Sequence, residues 1–299
     1  MTVSQMPGPG MLDDVAVQRS WHGAAWKLIR RQPLGAAGLA VVLVMIFMAV
    51  FAEAITPFEP EANSFEFMLA PPDGQFWLGT DQFGRDIWTR IIFGARTALY
   101  VGFVAAFIGA GAGLVLGVGS AYFGGLFDLL FQRVMDVFMA FPLIILALAV
   151  VSILGAGTSN VIIAITIPFI PHCARVVRSS ALAIREIPYV DAARAMGFSH
   201  RRIILRHMVP NVMAPFLIML TTFVGQAILL EASLSYLGLG VQEPTPAWGL
   251  MLQGGAEEFA ESAPWVAIFP GLAITLAVFA FNLFGDALRD VLDPKLRAR

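Results

Sequence analysis

The sequence predicts an all-α, polytopic membrane protein with six transmembrane helices, and three observations carry the prediction. First, 58% of its 299 residues are hydrophobic while only 13% are charged, about half the charged share of a soluble domain, so a polar shell cannot be built. Second, the apolar residues come in blocks of roughly 20, the length that crosses a hydrocarbon core as a helix. Third, those blocks are continuous rather than alternating, which disfavours strands of a transmembrane barrel.

The six apolar segments fall at roughly 34–55, 98–122, 134–154, 159–181, 212–232 and 265–287. A helix of about 22 residues rises about 33 Å, matching the bilayer with modest tilt. Pro168, Pro171 and His172 interrupt the fourth segment. With both termini in the cytoplasm, the inner side receives Arg19, Lys27, Arg30 and Arg31, then Arg133, then Arg175, Arg178, Arg185, Arg194, Arg201, Arg202 and Arg206, then Arg289, Lys295, Arg297 and Arg299. The outer side receives Arg85, Arg90 and Arg96. Inner loops are the basic ones in membrane proteins, so this orientation is expected. The chain then divides into a cytoplasmic leader (1–33), a first span with a long external loop (34–97), a five-helix core (98–287) enclosing a cytoplasmic loop at 182–211, and a cytoplasmic tail (288–299). The leader is long and polar, and the first apolar run exceeds a signal-peptide core, so no cleavable signal is expected.

Composition excludes several functions. Cys173 is the sole cysteine, which forbids an intrachain disulfide and argues against a thiol metal cluster. A net charge of −2 disfavours nucleic-acid binding. Lys27 and Lys295 are the only lysines and neither lies in a glycine-rich phosphate loop, so no ATP hydrolysis by that route is expected. His22, His172, His200 and His207 are scattered, without paired carboxylates or a nucleophile elbow to make an active site, and no metal site is expected. Glu53, Asp136, Glu231 and Asn282 sit near span ends where water or headgroups reach, leaving a buried proton relay unsupported.

Within the spans, Gly109, Gly113 and Gly117 share one helix face and permit close backbone approach, most simply as static packing. Two hydrophilic excursions, near 56–97 and 233–264, lie outside and carry Glu59, Glu61, Glu66, Asp73, Glu243, Glu257, Glu258 and Glu261. Either a solvated rim or a docking surface fits them. Trp248 and Trp265 fit interfacial anchors.

The loop from Ile187 to Asn211 is the informative one. Pro188 suits the first position of a helix, Asp191 its positive end, and Gly197 a left-handed stop. Ser199 can cap a second short helix, and Pro210 marks the approach to the fifth span. Ala192, Ala193 and Ala195 give the first helix low relief, ringed by Arg194, Arg201 and Arg202. Such a surface enters a groove on another protein, or meets anionic lipid; on physics alone lipid is favoured.

Asp191-Ala192-Ala193, Gly197 at the matching interval, and His207-Met208-Val209-Pro210 resemble the "EAA" loop of ABC importer permeases. Spacing is kept, with Asp, His and Val where the general pattern has Glu, Ile and Leu. Two more stretches resemble the second (C-type) permease subunit of dipeptide, oligopeptide and nickel importers. One runs from Leu78-Gly79-Thr80-Asp81-Gln82-Phe83-Gly84-Arg85-Asp86 to Gly94-Ala95-Arg96; the other runs from Glu231 through Ser235, Gly238 and Gly240 to Pro244, Pro246, Trp248 and Gly249. The tail from Gly285 to Pro294 is similar too.

The resemblance implies the fold of a type I ABC importer permease in a bacterial inner membrane, binding-protein-dependent and non-catalytic. Its implied role is half of a translocation pathway for short peptides, with nickel or another small solute as the alternative. Its partners would be a second, paralogous permease, two ATP-binding subunits and an external solute-binding protein. This chain would bind no cofactor itself; ATP and magnesium would sit on the ATPases. Pro188, Asp191, Ala192, Ala193, Arg194, Gly197 and Pro210 are the implied coupling residues. Gly79, Asp81, Gly84, Arg85 and Asp86, with Glu231, Ser235, Gly238 and Gly240, form the family signature. The charged group of 81–96 most simply caps and orients the second span. Gly238 and Gly240 most simply permit a chain reversal, with a gate element second. A self-contained secondary carrier would need internal repeats and mid-membrane ionisable residues, and neither is evident. A membrane protein that uses the inner loop only for docking is the third reading.

Overall fold

The computed structural model describes residues 32–292, and every regular element among them is helical apart from an isolated bridge between Thr80 and Asp86. In chain order the helices are α1 (Pro33–Val50), α2 (Ala52–Ile55), α3 (Ile87–Phe123), α4 (Gly125–Met139), α5 (Leu143–Leu154), α6 (Thr158–Arg185), α7 (Pro188–Ala195), α8 (His200–Ile203), α9 (Val209–Tyr236), α10 (Trp248–Glu258) and α11 (Trp265–Leu292). Five helices are long and apolar enough to span a membrane, and the count is six if the bent pair α4–α5 is one span. The leader's basic residues and the last residues of the tail lie outside the described residues.

Three elements differ from the sequence expectation. The segment expected as one span at 134–154 is two helices meeting at 88°. Pro142 has no N–H to continue the ladder, and it biases Phe141 away from helical backbone, so the chain turns there. Arg133, expected in a short loop, sits within α4. The second span starts not at 98 but at Ile87, giving a helix of 37 residues, about 55 Å long and therefore projecting beyond the hydrocarbon. The domain limit at 97 thus falls inside α3. By contrast, α6 runs unbroken through Pro168 and Pro171.

The long α3 is the post against which the other helices pack. Its glycine face lies directly on α6: a Cβ at Gly113 would come within 2.5 Å of the Cys173 Cβ, and one at Gly117 within 2.5 Å of the Ala174 carbonyl oxygen. Dispersion over closely apposed backbones replaces side-chain interdigitation here, as expected where lipid supplies no hydrophobic drive. The ring of Phe169 on α6 stacks on Phe223 of α9, centroids 4.2 Å apart, so α3, α6 and α9 share one core. Gly35 and Gly38 set α1 against α11 by the same close approach, to Ala287 and Ala280.

At the end of the bundle that carries α7, α4 lays its polar face on α6. Asp128 accepts from Nε and Nη2 of Arg178 at 2.6 and 2.5 Å, and Asp136 pairs with Arg175. Its other face exposes Leu126, Leu130, Val134 and Val137.

Candidate functional site

Two regions of the bundle hold the sequence-predicted site residues, one at each end.

At the end opposite α7, the Gly79–Asp86 stretch folds into a compact knot at the foot of α3. Gly79 and Gly84 adopt φ of +77° and +72°, and a Cβ at Gly84 would lie 1.9 Å from the Ser64 carbonyl oxygen, so only glycine fits. Asp81 organises the turn: Oδ1 accepts the backbone amides of Phe83 and Arg85, each at 2.9 Å, and Oδ2 accepts Nε of Arg85 at 2.7 Å. Arg85 then reaches across the fold to Glu243 in a bidentate pair of 2.6 and 3.2 Å. Burial acts to lower the pKa of the Arg85 guanidinium, but the carboxylates of Glu243 and Asp81 outweigh it and raise the pKa above its ordinary value.

Asp86 caps α3, accepting from the backbone N–H and hydroxyl of Thr89 at 2.8 and 2.7 Å. Arg90, on the first turns of α3, is fully buried; its Nη1 donates to the carbonyls of Pro60 and Pro244 at 2.8 and 3.3 Å. The same guanidinium lies 3.7 Å from both Asp81 and Glu243. Asp86 thus caps α3, and Asp81, Arg85, Arg90 and Glu243 join in one charged cluster at its foot. Its reach is longer than the sequence suggested, because it also binds the segment after α9.

That segment is fastened from α9 as well. Glu231, expected within reach of water, is instead 1% exposed, and its carboxylate accepts from the Ser235 hydroxyl at 2.7 Å. Ser235 Oγ in turn accepts the Val241 amide at 3.1 Å. Gly238, at φ +74°, makes the reversal expected of it, and Gly240 passes so near Ser235 that a Cβ would sit 2.1 Å from its Oγ. Gly157 donates its amide to the Gly240 carbonyl at 3.0 Å, and Thr97 donates its hydroxyl to Pro246 at 2.9 Å. Residues 237–247 therefore form a strap tied to α3, to α9 and to the start of α6.

Trp248 departs from the sequence expectation. Trp248 is 2% exposed, wedged against Gly94 of α3 with Nε1 donating to the Ile91 carbonyl at 2.9 Å; it is a core residue, not an interfacial anchor. Trp265 packs on Gly79 and donates to the Thr80 carbonyl at 3.3 Å. Between them lies α10, eleven residues long and too short to span, seated on Ala232 through Gly249 and on Ala267 through Gly255. The sequence reading treated this stretch as a hydrophilic excursion. Its small residues Gly249, Gly254 and Gly255 were the available signal.

At the other end, the Ile187–Asn211 loop folds largely as its sequence reads. Pro188 opens α7, Asp191 lies in its first turn, and α7 ends in a Schellman motif. Gly197 at φ +75° donates to Arg194, and Phe198 donates to Ala193, at 2.9 and 3.1 Å. Ser199 caps α8, accepting from the Arg202 amide at 3.4 Å. No free second helix follows, however: α8 runs through a π-helical turn (Ile204–Met208) into α9, with Pro210 in its first turn.

Of the predicted contact residues, Asp191, Ala192, Arg194 and Gly197 are exposed, and Pro188 and Pro210 are too. Ala193 is not. It is 1% exposed and packs inward with Val190, so its small side chain seats α7 on the bundle rather than meeting a partner. Among the described residues, none beyond the two chain neighbours of Gly197 comes within 4 Å of a Cβ built there, so its far side is open. Arg194 pairs with Asp191 at 3.1 Å and lies 5.4 Å over the Tyr122 ring, and Arg202 covers Phe198 at 4.0 Å. Arg194 and Arg202 thus each have a partner within the fold, while Ala192 and Ala195 of α7 are exposed.

Comparison with known proteins agrees with this architecture. Residues 109–298 match the family described as binding-protein-dependent transport system inner membrane component, and residues 20–72 match the N-terminal transmembrane domain of oligopeptide transport permease C. The chain is 46% identical over 273 residues to a protein of Brucella suis named as a peptide transport system permease, covering 91% of each chain. It is 42% identical to the dipeptide transport system permease protein of Alkalihalophilus pseudofirmus, covering 92% of this chain and 90% of that one. Against the glutathione transport system permease protein of Escherichia coli O6:K15:H31 the identity is 44%, with 94% and 92% covered. Among solved structures, a chain of the MetNI methionine ABC transporter in an inward-facing conformation matches with a TM-score of 0.55 at 19% identity, covering 69% of this chain and 98% of that one. At that identity the match speaks for the fold, which is that of an ABC importer permease. With its helices, its two signature regions and these relatives in agreement, the chain belongs to the family of inner-membrane components of binding-protein-dependent transport systems, as a multi-pass ABC importer permease.

Proposed function

We propose that this permease forms half of the translocation pathway of an ATP-driven importer of short peptides and that α7 is its coupling helix. The observation that carries the reading is the outward face of α7: a low-relief surface of Asp191, Ala192 and Gly197, exposed, rigidly terminated and unobstructed on its far side. A surface of that kind fits a groove in a protein better than it fits lipid, because Arg194 and Arg202 are engaged by Asp191, Tyr122 and Phe198. The occupant of α7 is an ATP-binding subunit, which supplies ATP and magnesium; this chain contributes no catalysis of its own. A second, paralogous permease completes the pathway, two ATP-binding subunits serve the pair, and an external solute-binding protein delivers the substrate. Both termini lie in the cytoplasm of a bacterial inner membrane, as the distribution of arginine supports.

Peptide is preferred to nickel as the substrate because the relatives are named for peptide, dipeptide and glutathione transport. Mechanistically, nucleotide at one end and loaded binding protein at the other bias an equilibrium between two arrangements of the bundle.

Reconstituting the co-purified assembly in liposomes tests this. Uptake of radiolabelled dialanine should require ATP and the binding protein, and an excess of nickel chelate should not compete. Uptake by the chain without ATP would overturn the reading in favour of a secondary carrier.

A further inference from the structure

Any displacement of α7 must reach the spanning helices through the few contacts α7 makes. Val190 and Ala193 face inward, but apolar contacts are non-directional and can slide. A directional, hydrogen-bonded contact to α9 lies at Tyr189. Its hydroxyl donates to the His207 carbonyl at 3.1 Å and accepts from the Asn211 side-chain amide, also at 3.1 Å. The same amide donates to the His207 carbonyl at 2.7 Å, closing a triangle between α7, the π-turn and the first turn of α9. Phe198, which ends the Schellman turn, lies parallel to the His207 ring at 6.2 Å and 17°, and the Tyr189 ring tilts against the same imidazole at 5.9 Å.

The place where this triangle lands is mechanically weak on its own. Pro210 supplies no N–H, and Val209 reaches back five residues to Ile204, so the ladder is loosened between α8 and α9. Left alone, such a turn absorbs a push by changing register. Bridged by Tyr189 and Asn211, it is braced.

Building on the coupling role proposed above, we propose that Tyr189 is a positioning residue: its hydroxyl, joined to His207 and Asn211, makes α7 and α9 move as one rigid piece. The 28 residues of α9 then form a lever of about 42 Å. Its far end is Glu231 and Ser235, which hold the strap that Arg85 and Arg90 grip. A movement imposed at α7 is thereby delivered to the strap at the opposite end.

The test uses the full chain in nanodiscs, with spin labels at Met196→Cys and Leu229→Cys, both exposed sites, while native Cys173 is buried. The interlabel distance distribution should be narrow, should broaden in Tyr189→Phe and in Asn211→Ala, and should stay narrow in the control Tyr100→Phe. Co-purification of the ATPase with Tyr189→Phe should be unchanged, whereas dialanine transported per ATP hydrolysed should fall roughly tenfold, as the loss of the two hydrogen bonds made by the hydroxyl allows. An unaltered distribution in both variants overturns the joint. Failure of the unsubstituted chain to retain any ATPase would instead sink the coupling reading, and the distance measurement would still decide the joint.

Discussion

Asp81→Ala is expected to destabilise the protein by about 3–5 kcal/mol, the cost of breaking a buried ion pair and leaving its partner charged. Asp81 is 5% exposed and holds two cations at once, Arg85 by a 2.7 Å hydrogen bond and Arg90 at 3.7 Å. Removing it leaves Glu243 as the carboxylate that both guanidiniums share, and its side chain is 42% exposed and correspondingly screened. It also frees the Phe83 and Arg85 amides that Oδ1 accepts. Asp81→Asn keeps an acceptor for those amides while losing the charge, so it should fall between wild type and alanine. Asp73→Ala, in an exposed turn where the carboxylate accepts the amides of Gln75 and Phe76, should cost about 1 kcal/mol. Thermal unfolding in detergent ranks the three. Protease sensitivity of residues 56–86 should follow the same order, because this ion cluster is what fastens that excursion to α3.

Gly197→Arg should behave in the opposite way, sparing the fold and losing the function. The left-handed backbone costs a non-glycine residue about 1–2 kcal/mol, and among the described residues none beyond the chain neighbours crowds a Cβ at this position. Membrane insertion and melting should therefore remain close to wild type. Docking should not. An arginine placed at the centre of a low-relief contact is expected to cost roughly 2–4 kcal/mol of partner affinity, thirtyfold or more. Gly197→Ala shares the backbone penalty with little added bulk and should retain most of the affinity. Retention of the ATPase on a tagged chain, compared across the three, separates backbone strain from obstruction.

These two regions differ in how much of them the sequence disclosed. In the α7 loop the information is local. Pro188, Gly197 and Ser199 each act through the backbone of residues within three or four positions, so reading them in order suffices to place the helix, its end and the next cap. What local reading could not supply is the direction each residue faces. Ala193 and Ala192 are equivalent in sequence, and only the seating of Val190 on the bundle decides that Ala193 points inward.

At the other end the decisive partners are distant in the chain. Arg85 meets Glu243 across 158 positions and Trp248 meets Ile91 across 157, so neither burial nor pairing was accessible from spacing. Glu231 shows the same limit. Its position near the end of an apolar run suggested water, whereas the returning strap covers it. The α4–α5 bend was encoded locally by Phe141-Pro142, but the hydropathy of 134–154 is continuous across it and masked the break.

The measurement that tests the central claim most directly is a cross-link from α7. Met196 is 66% exposed and adjoins Gly197. With Met196→Cys in membranes, a short thiol-directed cross-linker should join the chain to a protein carrying an ATP-binding phosphate loop, identified by mass spectrometry. The yield should fall when Gly197→Arg is added. Cross-linking to no such protein, or a yield indifferent to Gly197→Arg, would contradict the account.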